Sequence, residues 1–169
     1  VLNNPEEASK LCDTRISYHK KTLKQSGKVN AGDKVRPNKN LDLNLHQEEL
    51  YKSYMDQGDT LLQVQNYPRA IQSFEYALNI ARGLFKEEHP DTAESYFSIG
   101  VTQHALGNFS SALQSYQRAL DIRVKLFGEE HRDTAESYFS IGVTQHALGN
   151  FSSALQSHQR ALDIRVKLF

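Results

Sequence analysis

The 169-residue chain has one cysteine, Cys12, so no disulfide can form within it, and a reducing compartment is the expectation. It has no apolar run near the roughly 18 residues that a membrane helix needs, and no basic start followed by an apolar stretch that would read as a leader. A cytoplasmic protein without a membrane partner is expected. An excess of either charge is missing too, with 20 Lys and Arg against 20 Asp and Glu. The balance is uneven along the chain: residues 1–44 hold nine basic and five acidic side chains, leaving eleven basic and fifteen acidic in residues 45–169. That acidic remainder makes a poor surface for nucleic acid, which is not an expected partner. Also absent are a glycine-rich phosphate loop, a Gly-x-Ser-x-Gly elbow and a His-Glu-x-x-His pair. With no nucleophile set beside a base, the chain is not expected to be an enzyme, and no catalytic residue or cofactor is assigned.

What the chain does have is repetition. Residues 87–127 are written again as 129–169 at a period of 42, with two changes, Pro90 to Arg132 and Tyr116 to His158. One period earlier lies an older copy, 45–86, in which Tyr54, Gly58, Ala70, Ser73, Ala77 and Leu78 fall on Tyr96, Gly100, Ala112, Ser115, Ala119 and Leu120. A repeat of this length cannot bury its apolar face alone and must stack on its neighbours. The expected organisation is a short helix in 1–24, a flexible basic linker in 25–44, a divergent repeat in 45–86, and two further repeats in 87–128 and 129–169, the last one truncated.

Each late repeat reads as two helices. Helix A is expected from about Thr92 to Leu106, with Asp91 and Glu94 forming a D-x-x-E capping pattern. Gly107 and Asn108 break it, Gly107 in the left-handed conformation a helix end favours, and helix B runs from Phe109 to about Phe127. Ala112, Leu113, Tyr116, Ala119, Leu120, Val124 and Phe127 paint one stripe on helix B. Asp121 and Lys125, four apart, are expected to pair. Gly100, Ala112 and Ala119 are the small residues at which helices would cross closely.

Counting Gly100 as the eighth position of a tetratricopeptide repeat (TPR) puts Tyr96, Ile99, Ala112, Tyr116 and Ala119 on that family's large, Leu, small, aromatic and small positions. The chain resembles this family over all three copies. The 42-residue period, the A-L-D-I-R-V-K-L-F-G end of helix B and the G-E-E-H loop are similar to the longer repeats of kinesin light chains and nephrocystin-type proteins. The resemblance implies an all-α fold, a TPR α-solenoid, wound as a right-handed superhelix of helix-turn-helix repeats. The chain departs from the pattern where the usual eleventh-position aromatic is Gln103 and Gln145. It departs again where the paired asparagines of kinesin light chain's peptide-binding repeats are Phe97 and Ser98.

In this family helix A lines an inner groove, at positions that correspond here to Glu94, Phe97, Val101 and His104, then Glu136, Phe139, Val143 and His146, and in the older copy Lys52, Met55, Asp59 and Leu62. Their spacing places each set on one helix face. A concave strip of this kind suits an extended or helical peptide of a protein partner. The alternative is that Phe97 and Val101 pack laterally and are structural. The family's carboxylate clamp, which needs Lys and Asn at the Phe97 and Val101 positions, is absent, so a free C-terminal carboxylate is not the expected ligand.

His89, His104, His131, His146 and His158 invite a zinc reading, but His104 and His146 recur two helix packings apart and no cysteine is near, so no metal site is expected among them. Before the repeats, Asn4-Pro5-Glu6-Glu7 reads as a helix start, with Ala8, Leu11 or Cys12, Ile16 and Leu23 as one apolar stripe, the last helix of an upstream domain. Residues 25–41 are rich in Lys, Asn and Gly and short of apolar side chains.

The expected function is a protein-protein interaction scaffold. The alternatives are the regulatory, sensor or oligomerisation arm of a larger signalling NTPase, as in nephrocystin-type architectures, and a cargo adaptor like kinesin light chain. The start without methionine and the stop within a repeat read as a fragment of a longer protein. Leu155, Leu162, Val166 and Phe169 then lie on a helix B without a following repeat, and such a face is expected to self-associate or fray. Hydrogen exchange tests this: a monomer in which residues 151–168 are as protected as 109–127 contradicts it.

Overall fold

Residues 5–26 and 39–168 are described in the computed structural model. Asn4, the stretch 27–38 of the expected linker, and Phe169 lie outside the described residues. Among those described there are seven helices and no strand: α1 (Pro5–Ser26), α2 (Lys39–Gln63), α3 (Tyr67–Phe85), α4 (Pro90–Ala105), α5 (Phe109–Phe127), α6 (Arg132–Ala147) and α7 (Phe151–Leu168). They form two compact units, 1–84 and 85–169. The all-α, TPR-type architecture expected from the repeats is the one observed.

The second unit holds both late repeats. Each is a helix hairpin closed by a tight turn: Phe97 meets Tyr116 at mid-helix, and nearer the turn Ser115 Oγ donates to Gln103 Oε1 at 2.8 Å. The crossing is close. A Cβ on Gly100 would sit 2.8 Å from the Tyr116 ring, and one on Gly142 would sit 2.7 Å from His158. With α5 so near, α4 buries small hydroxyl side chains rather than bulk. Ser95 donates to Asp91 O, and Thr102 to Ser98 O, both at 2.8 Å, so burial leaves these hydroxyls satisfied. Ala112, Tyr116 and Leu120 of α5 and Ile141 of α6 form the core between the two hairpins.

Gln103 occupies the position where the family carries an aromatic, and the bond from Ser115 gives its amide a partner inside the hairpin. Gln145 and Ser157 repeat the arrangement at 2.8 Å. Gly107 is left-handed at φ 86°, and Gly107 N–H and Asn108 N–H donate to His104 O and Gln103 O. This closes α4 with a Schellman turn.

Three expectations are corrected. The N-cap of α4 is His89, not Asp91: His89 Nδ1 accepts from Asp91 N–H, and His131 does the same for Asp133 in α6. Each helix starts two residues earlier than expected; at α4 the first position is Pro90, whose missing N–H costs nothing there, and α6 starts at the equivalent Arg132 with the same cap. Asp121 and Lys125 do not pair, since Gln117 donates to Asp121 and Lys125 Nζ reaches Glu88 at 2.8 Å. Finally, α2 begins at Lys39, inside the stretch expected as linker; α1 lies in the same compact unit as the first repeat.

In that first unit, Cys12, Ile16 and His19 are the buried face of α1, and Leu11 is exposed. Gln57 Nε2 donates to Asp13 at 2.6 Å while Ser73 Oγ donates to Gln57 Oε1 at 2.8 Å, so one buried amide ties α1, α2 and α3 together. Gly58 of α2 meets the fully buried Phe74 of α3, as Gly100 meets Tyr116.

Tyr116 is 4% exposed, and this burial, aided by the charge of Glu136, pushes its phenol from 10 up to about 12. In the unfolded chain it ionises near 10. Its contribution is therefore intact below about pH 10 and is lost as pH rises towards 12, by up to about 2–3 kcal/mol. Urea midpoints across this window should fall less steeply for Tyr116→Phe than for the wild type; equal slopes would refute the assignment.

Candidate functional site

The residues expected to line the groove of the second unit come from α4 and α6, and a side chain from α5 joins them. Arg123, 3% exposed, runs its guanidinium between the two A helices. Nη2 donates to Glu94 Oε2 at 2.9 Å, and Nη1 donates to Glu136 Oε2 at 3.3 Å, Ser137 Oγ at 2.9 Å and Asp133 O at 3.1 Å. The same guanidinium lies 4.3 Å from the centre of the Phe97 ring. A buried cation needs such partners, and here one arginine meets carboxylates of both repeats and a ring face at once.

This sorts the expected residues. Glu94 and Glu136 are engaged by Arg123. Phe97 is half-buried, 5.3 Å from the Tyr116 ring, and Val101 packs against the same core. Phe139, its counterpart, is 44% exposed, with the Arg165 guanidinium 5.2 Å from its ring centre and His158 beside it. Val143 is half-buried. His104 and His146 meet Phe109 and Phe151 edge-on at 5.0 and 5.1 Å, at the turn end of each hairpin. His104 Nε2 is buried without a hydrogen-bond partner among the described residues. In the first unit Lys52 and Asp59 are exposed and Met55 is half-buried on α2.

Arg123 is the residue that the reading of the groove missed. Its signal is internal to the sequence: arginine recurs at 123 and 165 where the facing positions 94 and 136 are glutamate, while the older copy has Ala81 and Lys52. Cys12, the only cysteine, is buried, and burial raises its thiol pKa, which makes it a poor nucleophile.

Other surfaces differ in kind. In the first unit a cleft of about 410 Å³ lies among Lys20, Leu50, Tyr54, Tyr76 and Ile80, with Lys20 Nζ 5.3 and 5.4 Å from the two tyrosine ring centres. On α7, Phe151, Leu155, Leu162 and Val166 are all exposed, whereas Leu120, which corresponds to Leu162, is buried under α6. No helix among the described residues is long and apolar enough to cross a membrane.

Arg123→Ala removes the cation that Glu94 and Glu136 share and uncovers the Phe97 ring, while Ser137 keeps its bond to Asp133 O. Because both carboxylates remain half-exposed, the expected loss is about 2–3 kcal/mol, below the range for a fully buried pair. Arg165→Ala, on an exposed side chain, should cost under about 0.5 kcal/mol. Urea denaturation of the two variants side by side checks the contrast, and equal losses would contradict it.

No curated protein matches the sequence. Solved structures do match its fold. BtubC (BKLC) from P. vanneervenii is 18% identical with a TM-score of 0.68, over 90% of this chain and 72% of that one. A kinesin light chain-like array of nearly identical TPR-like repeats from Podosopora anserina is 13% identical at 0.61, over 99% of both. A Rap protein complexed with Competence and Sporulation Factor is 16% identical at 0.63, with 98% of this chain spanning 44% of that one. The sequence profile described as tetratricopeptide repeat matches residues 49–125 and 112–165, which together contain all of α3 to α6 and most of α2 and α7. The chain belongs to the tetratricopeptide repeat family.

Proposed function

We propose that the chain is a protein-protein interaction scaffold that binds a partner peptide on the helix-A face of its late repeats, around Phe139. The observation that carries this reading is the exposure of that one ring. Phe97 is engaged by Tyr116 and Arg123, but Phe139 offers nearly half its surface, with Arg165 beside it and Val143 one turn along. A ring, an aliphatic side chain and a guanidinium in a row fit an extended or helical segment with an apolar anchor and a neighbouring acidic group. The family supports a protein segment as the kind of partner, and a Rap protein of this fold is solved in complex with Competence and Sporulation Factor.

The test separates groove from core. A random-peptide display library is panned on the full chain, and the selected peptides are titrated against wild type and Phe139→Glu, with circular dichroism as the check on folding. Binding weakened at least tenfold with helicity intact is expected. Undiminished binding by Phe139→Glu would move the site elsewhere.

A further inference from the structure

The first unit brings together three ligand-type side chains that are far apart in sequence. His19 comes from α1, and His46 and Glu49, three residues apart, from one face of α2. His19 Nδ1 and His46 Nδ1 are 3.4 Å apart, and Glu49 Oε2 lies 3.5 Å from the first and 3.8 Å from the second. A triangle with these sides has a point about 2.1 Å from all three corners, the bond length of zinc to imidazole nitrogen and carboxylate oxygen. His19 is 6% exposed, so its ring is buried at the helix interface with Nδ1 within 3.5 Å of both other groups, while the Glu49 side chain is 45% exposed and leaves a side open to solvent.

We propose that His19, His46 and Glu49 form a binding site for a divalent transition-metal ion of zinc type, with a water or a further ligand in the fourth position. Two imidazoles and one carboxylate make a donor set suited to such ions and poorly suited to magnesium or calcium, which take oxygen ligands. Glu49 also supplies the negative charge that two neutral imidazoles lack. A bound ion joins α1 to α2 at the end of their contact opposite to the bond between Gln57 and Asp13. It thereby fastens α1 to the first repeat. This inference is independent of the groove around Phe139, which lies in the other unit. It also departs from the absence of metal expected from the sequence, where the histidines weighed were those of positions 89 to 158.

The experiment is calorimetric titration of the metal-free full chain with zinc chloride, paired with thermal unfolding, and with cobalt(II) absorption as a report on coordination. His46→Gln and Glu49→Gln are the variants, because the buried His19 cannot be changed without disturbing packing. One zinc per chain is expected, with a rise in the unfolding midpoint, and an affinity at least tenfold weaker in each variant. If His46→Gln loses helicity, the half-exposed Glu49→Gln decides. No zinc binding by the wild type, or equal affinity in wild type and Glu49→Gln, would overturn the proposal.

Discussion

Each hairpin of this protein depends on a glycine lying under a ring. Gly58 faces Phe74, Gly100 faces Tyr116 and Gly142 faces His158, and any Cβ at these positions would overlap the ring. The ring varies between copies and the glycine does not, because the constraint is on the distance between helices and not on the chemistry of what fills it. The rest of the packing follows. An A helix held this close has no room for large side chains beside the crossing, so Ser95, Thr102, Ser137 and Thr144 are buried there. Their hydroxyls turn back to carbonyls one turn earlier, which keeps burial from costing an unmade hydrogen bond.

Between the hairpins of the second unit a polar tie lies beside the apolar core of Ala112, Tyr116, Leu120 and Ile141. Arg123 exchanges water for two carboxylates, a hydroxyl, a carbonyl and an aromatic face. An arginine suits this place better than a lysine, since its planar fork can meet donors' partners in several directions while its face lies on Phe97. The consequence for function is selective. Arg123 engages the glutamates of both repeats and the first phenylalanine, while Phe139 stays 44% exposed. Repeats that differ at only two positions therefore present unequal surfaces, because each helix A takes its environment from its neighbours.

The first unit reaches similar packing by other means. Its third helix, α1, lies outside the repeat pattern, yet it is tied to α2 through Gln57 and Asp13 and through the ion pair of Arg15 with Asp56. His19 occupies a buried position in the same interface as Cys12 and Ile16. A polar ring at that depth is costly unless partnered, and its nearest partners are the imidazole and carboxylate of α2.

The sequence alone determined the repeat register, the helix-turn-helix unit, the close crossing at Gly100 and the family, because periodicity and small residues at fixed spacing report directly on helix packing. It placed Gly107 at a left-handed turn and helix B at Phe109–Phe127, since both are local in origin. It misplaced the cap at Asp91, two residues beyond His89, whose ring accepts the Asp91 N–H, and paired Asp121 with Lys125, where Glu88 of the loop before α4 competed. Which of two identical phenylalanines is covered was decided by tertiary structure, as was the reach of Arg123 to residues 29 and 13 positions away. So was the meeting of His19 with His46 and Glu49. These depend on which helices lie side by side, and a side chain's exposure, charge partners and ligand geometry are properties of that arrangement rather than of its own neighbours in the chain.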